Sequence, residues 1–196
     1  MKLINGTKTE KNLLKSFICE SQARLKYDFF ASKAREEGFE QLASIFMKTS
    51  NNEKEHAKIF FSFLKGGLLE ITSVFPSGVI GSTIENLKSS IDGESKESEE
   101  IYPKMAKIAE DENFSEIAKC FRGICVAEHY HKSRYLYFLK NIEDNNIFKN
   151  NTLIKWECRN CGYVYENKEA LEKCPICLHR KSYMEKIDNN FYSNLE

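Results

Sequence analysis

A four-helix bundle followed by a small cysteine-bearing module is the architecture this sequence predicts, and three observations predict it. Residues 8–142 carry apolar side chains at helical spacing and only two prolines. Glutamates and histidines interrupt those apolar stripes where Leu or Ile is expected. Beyond a polar, Asn-rich stretch at residues 143–152, four cysteines stand in two C-x-x-C pairs.

The first helix is expected over about residues 8–37, stopped by Gly38, whose missing side chain suits a helix C-terminus. The second runs over about residues 40–65 and halts at Gly66-Gly67. A less regular stretch with Pro76 and Gly78 then reads as a long crossover carrying a short helix. The third helix, about residues 82–111, is interrupted by Gly93 and Pro103, and the fourth covers about residues 114–142. Two short loops and one long crossover joining amphipathic helices describe a bundle. The expected domains are 1–145 for the bundle and 153–196 for a compact β/loop module.

On the second helix the stripe runs Leu42, Phe46, Thr49, Glu53, His56, Phe60, Phe63. On the fourth it runs Phe114, Ile117, Phe121, Cys125, Glu128, His131, Tyr135, Phe138. Glu20 lies between Phe17 and Tyr27 on the first helix, and Glu94 and Glu97 lie between Leu87, Ile91 and Ile101, Met105 on the third. Glu55 and Glu100 fall on polar faces and are expected in solvent. Burying five carboxylates without cations costs several kcal/mol per unpaired charge, and on these stripes only Arg24 offers one, so metal ions are the economical partner. A Glu and a His three residues apart point the same way on a helix. Two such pairs, with a Glu from each remaining helix, make a di-iron or di-manganese carboxylate site.

The C-terminal pairs, Cys158/Cys161 and Cys174/Cys177, are separated by twelve residues and can wrap one tetrahedral ion with four thiolates. Spacing alone admits zinc or iron and by itself fits a structural zinc ribbon. A redox-active site in the bundle turns the reading toward a one-electron iron centre. Seven cysteines, an odd number, fit a reducing compartment better than a disulfide framework. The N-terminus shows no signal-peptide pattern and no run reaches the roughly 20 apolar residues of a membrane span, so a cytoplasmic protein without a membrane partner is expected. Lys plus Arg, at 29, equals Asp plus Glu, at 29, which argues against a nucleic-acid partner.

Taken together, Glu20-Ser-Gln-Ala-Arg24 with Tyr27, Glu53-x-x-His56, Gly93-Glu94-x-x-Glu97 with Tyr102, Glu128-x-x-His131 and the four cysteines resemble the rubrerythrin family over nearly the whole chain. That family joins a ferritin-like di-iron bundle to a rubredoxin-like module. By position, the resemblance implies that Glu53 and Glu128 bridge two irons, that Glu20 and Glu97 hold one, and that Glu94 and His131 hold the other. It further implies an oxo/carboxylate-bridged pair, with His56 replacing Glu97 on reduction. Tyr27 and Tyr102 would hydrogen-bond the ligands, and His179 would donate to a cysteine sulfur. Cys19, Leu171 and Arg180 depart from the family pattern without removing a ligand, and Cys125 is expected to be a buried, inert thiol.

The activity this implies is a peroxidase reducing hydrogen peroxide to water in oxidative-stress defence. Glu97, His56, Tyr27 and Tyr102 would be its active residues, in a homodimer served by an NAD(P)H-dependent rubredoxin reductase. No glycine-rich dinucleotide fingerprint occurs in the chain itself. The alternatives are a ferroxidase or iron-handling protein, which needs no electron relay, and a zinc-ribbon adaptor.

Overall fold

The computed structural model describes residues 3–187; the last part of the expected second domain, 188–196, lies outside the described residues. Helix α1 spans Lys8–Glu36, and its N-cap Thr7 accepts a hydrogen bond from the Glu10 backbone N–H, satisfying an otherwise orphaned donor. Gly38 takes the left-handed backbone (φ 85°) that lets the chain reverse into α2, Glu40–Phe63. The crossover expected to hold a short helix holds none: residues 64–82 contain no helix or strand. Their local sequence has no amphipathic face to bury, and they are pinned by the Gln22 side chain donating to the Pro76 carbonyl at 2.7 Å.

Helix α3, Thr83–Lys96, opens on a capping box in which Ser82 and Glu85 satisfy each other's backbone N–H groups. It continues through a π-turn, Glu97–Ile101, into α4, Tyr102–Asp111, so one helix axis does the work of the expected third helix. Pro103 explains the π-turn. It has no N–H to offer the Glu99 carbonyl and its ring crowds that carbonyl, so the helix widens there. The Tyr102 N–H instead reaches back five residues to the Glu97 carbonyl.

That extra residue advances the helix phase by about 100°. Tyr102 therefore takes the buried position, 1% exposed, and the expected stripe residue Ile101 is only half-buried. Asn113 (φ 64°) then plays the part of Gly38, turning the chain into α5, Ser115–Glu143.

Two apolar clusters fill the bundle above and below its middle. One is built on Tyr27, Phe30, Phe46 and Phe138, the other on Phe60, Tyr102, Phe121 and Leu13. Between them the bundle has no comparable apolar layer, and the carboxylates occupy that level. The chain enters β1, Lys149–Cys158, so the polar link is shorter than the sequence suggested. With β2, Val164–Glu169, and β3, Met184–Lys186, it forms an antiparallel sheet in the order β2-β1-β3 around the fully buried Trp156. This module sits on the end of α2: Arg159 Nη2 donates to Ser44 Oγ at 2.8 Å, and Phe148 stacks on Phe39.

Deleting Glu100 together with Pro103→Ala removes the extra residue and closes the π-turn into regular α-helix with Tyr102 kept in its buried position. Urea unfolding is expected to show stability close to that of the wild type; a loss of about 3 kcal/mol, the cost of removing a buried aromatic ring, would show that Tyr102 had left the core and that the π-turn does not set this register.

Candidate metal centres

Four helices deliver six ligand-type side chains to one level of the bundle. Glu20, Glu53, Glu94 and Glu128 are at most 1% exposed, with His131 at 3% and His56 at 9%. They form two four-residue groups: Glu20, Glu53, His56 and Glu128, and Glu53, Glu94, Glu128 and His131. Within each group one ligand atom per residue lies within 4.8 Å of the others. Glu53 and Glu128 belong to both.

The oxygens divide between the groups. Glu53 turns Oε2 to His56 Nδ1 at 2.9 Å and Oε1 to His131 Nδ1 at 3.2 Å. Glu128 turns Oε1 to His56 Nδ1 at 3.0 Å and Oε2 to His131 Nδ1 at 2.7 Å. Each of these carboxylates spans both halves, as a bridging ligand must.

Eight nitrogen and oxygen atoms of the six residues are buried without a hydrogen bond of acceptable geometry, including both oxygens of Glu53 and of Glu128 and Nδ1 of both histidines. Buried polar atoms are ordinarily satisfied. Here they converge on shared space, which fits a pair of cations bound by mixed carboxylate and imidazole donors. Arg24, the cation expected on the stripe, makes none of the ion pairs with these carboxylates among the described residues; the imidazoles do.

The four cysteines meet as expected. Sulfur–sulfur distances of 3.6 Å join Cys158 to Cys177 and Cys161 to Cys174, and all four sulfurs lie within 4.8 Å. Thiolates about 2.3 Å from a central ion define a tetrahedron with edges near this length. The two knuckles are built alike: the Gly162 N–H donates to the Cys158 carbonyl at 2.8 Å, and the Leu178 N–H to the Cys174 carbonyl at 3.0 Å. Both positions are left-handed, φ 72° and 62°.

Comparison with known proteins follows the same division. The rubrerythrin family model matches residues 11–139, and the rubrerythrin rubredoxin-like domain matches residues 156–185. The chain is 52% identical to the rubrerythrin of Porphyromonas gingivalis, covering 97% of this chain and 95% of that one. It is 46% identical to the rubrerythrin of Nitratidesulfovibrio vulgaris, covering 97% and 100%. A solved structure of nigerythrin in a mixed-valence state superposes with a TM-score of 0.62 at 30% identity, covering 94% and 92%.

The chain belongs to the rubrerythrin family.

It carries that family's di-iron carboxylate site in the bundle and its four-cysteine rubredoxin-like site in the C-terminal module. Of the side chains the resemblance singled out, Glu97 is the one the structure keeps apart. It is half-buried, belongs to neither ligand group, and lines a cavity between α1 and α3. The Tyr27 hydroxyl donates to Glu94 Oε1 and the Tyr102 hydroxyl to Glu20 Oε1. Each phenol thus holds one carboxylate of the cluster.

His179 meets a cysteine sulfur through its backbone and not through its ring. Its ring Nδ1 faces the Cys177 carbonyl at 3.2 Å and its ring packs on Tyr183; the sulfur of Cys177 is served by the His179 backbone N–H. That N–H holds the Cys177 thiol down at about 5. Cys125 is half-buried and burial raises its thiol, in keeping with an inert residue. The stripes also missed Asn52, whose Oδ1 lies 3.3 Å from His131 Nε2 and fixes the far side of that ring. A partner for the outer ring nitrogen leaves no periodic signal in a sequence.

Charge is heavily displaced among these side chains. Burial, then the charges of Glu128 and Glu53, pushes the Glu20 carboxyl well above its usual range; burial with Glu94 and Glu128 does the same to Glu97. Glu94 rises to about 7, chiefly by burial. Burial disfavours the charged His56 ring, yet Glu128 and Glu53 outweigh it and lift it to about 10. Burial likewise pushes Glu128 up, but the two imidazoles hold it at about 2.

With His56 lifted to about 10 and Glu94 to about 7, a metal bound by these residues would displace protons from them. Loading should acidify a weakly buffered solution, and apparent affinity should rise with pH from about 7 toward 10. Anaerobic Fe(II) titration at several pH values checks this, and a flat profile would contradict it.

Leu178 carries a side chain in a left-handed position that its counterpart Gly162 occupies without strain. Leu178→Gly is expected to stabilise the metal-loaded cysteine module by about 1 kcal/mol, read as a higher denaturant midpoint for loss of the metal–thiolate band.

Proposed function

We propose that the chain is a peroxidase that reduces hydrogen peroxide to water in oxidative-stress defence in the cytoplasm. Glu20, Glu53, His56, Glu94, Glu97, Glu128 and His131 are the ligand set for two irons, and Cys158, Cys161, Cys174 and Cys177 that for a third. When bound, the bundle irons supply Lewis acidity and an electron pair to the O–O bond, and the cysteine-held iron supplies replacements one at a time.

The observation that carries this reading is the company of the two sites. One chain joins a buried site able to present two electrons at once to a four-thiolate centre suited to one-electron relay. A ferroxidase gives electrons to oxygen and has no use for such a donor.

Glu53 and Glu128 would bridge, each offering one oxygen to either half. Glu94 and His131 would complete one half, and Glu20 the other together with either His56 or Glu97. His56 lies inside the ligand group and Glu97 outside it, beside the cavity.

Tyr27 and Tyr102 are buried phenols whose ionisation is pushed well above the ordinary range, by burial first and by Glu94 and Glu20 next. They keep their protons and donate hydrogen bonds to the carboxylates they orient at the edge of the reacting space.

The cysteine module contacts α2 at Ser44, nine residues before Glu53, about 14 Å along the helix axis. A homodimer in which one subunit's cysteine centre lies near the partner's bundle site shortens that path. Electrons would reach it from an NAD(P)H-dependent rubredoxin reductase.

The test is to reduce the iron-loaded protein anaerobically, add one equivalent of hydrogen peroxide, and follow the iron–thiolate colour. Recolouring much faster than in air is expected. Faster recolouring in air would favour a ferroxidase, and a protein left colourless by iron loading would point to a zinc ribbon. Tyr102→Phe should lower peroxide turnover about 10- to 100-fold with its iron content retained.

A further inference from the structure

The bundle has an opening that hydrogen peroxide does not need. Between α1, the α3–π-turn segment and the crossover lies a cavity of about 570 Å³. Hydrogen peroxide is little larger than water, whose share of liquid volume is about 30 Å³. The cavity instead falls in the size range of sites for organic ligands.

Its depth is shown by its lining. Ser16, Ala23, Tyr102 and Met105 border it and are each at most 8% exposed, so it reaches the bundle interior. Its inner wall is the metal site's own edge: Glu97, and Tyr102, which holds Glu20.

The outer wall is apolar. Leu25 and Phe29 from α1 face the cavity together with Val79 and Ile80 from the crossover, and all four retain at least half of their exposure. The crossover is held over this space by the Gln22–Pro76 hydrogen bond. Lys15 and Lys26 stand at the rim, where long side chains keep their charge in water. Such a shape offers a polar reacting end inside and a greasy passage outside.

We propose that this cavity admits organic hydroperoxides, with the alkyl or aryl group against Leu25, Phe29, Val79 and Ile80 and the peroxide directed to the Glu97–Tyr102 end. The assignment rests on the peroxidase reading and names a substrate class for it. In the reaction, the hydroperoxide ROOH takes two electrons from the reduced metal pair and two protons. Its O–O bond breaks, and one alcohol ROH and one water leave. The electrons are those the cysteine centre relays from a reduced-nicotinamide-dependent reductase.

The experiment uses the iron-loaded full chain and two measurements. Steady-state kinetics compare cumene hydroperoxide with hydrogen peroxide in the wild type and in a Val79→Asp/Ile80→Asp double variant. Calorimetry measures binding of cumyl alcohol, the unreactive product, to the same proteins with and without metal.

The wild type is expected to show a KM for cumene hydroperoxide about 10-fold or more below that for hydrogen peroxide, from apolar burial. In the double variant the ratio of the two kcat/KM values should shift about 10-fold toward hydrogen peroxide, and cumyl alcohol binding should weaken in parallel. Reduction of hydrogen peroxide with no binding of cumyl alcohol, or with a ratio the double variant leaves unmoved, overturns the cavity assignment and leaves the peroxidase reading standing. Binding of the alcohol with no turnover of either peroxide overturns the peroxidase reading and the substrate assignment with it.

Discussion

Four carboxylates with almost no solvent exposure, held side by side at mid-height in a helical bundle, set the terms for everything around them. In water each would be charged and well hydrated; here burial and mutual repulsion push Glu20 and Glu94 upward. Two imidazoles between the bridging pair relieve part of that cost, and only by taking up protons themselves. The site is thus frustrated without metal. Two divalent ions held by these residues would take the place of those protons and would turn a destabilising cluster into a cross-link among all four helices.

The surroundings are organised to hold those carboxylates still. Tyr27 reaches from α1 to Glu94 on α3, and Tyr102 reaches from α4 back to Glu20 on α1, so the two phenols tie opposite sides of the bundle across the site. Aromatic packing locks both rings: Tyr27 lies against Phe46 and Tyr135, and Tyr102 against Phe60 and Phe121. The apolar clusters therefore do more than stabilise the fold. They fix the rotamers of the groups that fix the ligands.

Much of this was legible in the sequence because it is periodic. A Glu or His inside an apolar stripe announces itself, and two E-x-x-H pairs on separate helices leave few alternatives. The cysteine knuckles were equally plain, since their spacing encodes a tetrahedron. What escaped was aperiodic. The π-turn shifts register by one residue, so a stripe drawn at constant pitch put Ile101 where Tyr102 belongs. Asn52 sits one step off the stripe and touches His131 only through a side-chain oxygen. Leu178 looks like an ordinary apolar residue, and its left-handed backbone is imposed by the knuckle it closes. The crossover lacks any repeat from which its path along the cavity could be inferred.

The π-turn also separates the fixed ligands from the one proposed to move. Glu20, Glu53, Glu94 and Glu128 project from regular α-helix, where every neighbouring turn is hydrogen-bonded and packed. Glu97 is the first residue of the widened turn, with no buried residue within it and a cavity beside it. On an uninterrupted helix Glu94 and Glu97, three residues apart, would be held with similar firmness. Widening the helix at Glu97 leaves the second carboxylate of E-x-x-E beside the cavity while the first stays tied to Tyr27. The same Pro103 that breaks the regular pattern thus sets the position of Tyr102 and the freedom of Glu97. In this fold a single backbone irregularity sets both the phenol that holds Glu20 and the open space beside Glu97.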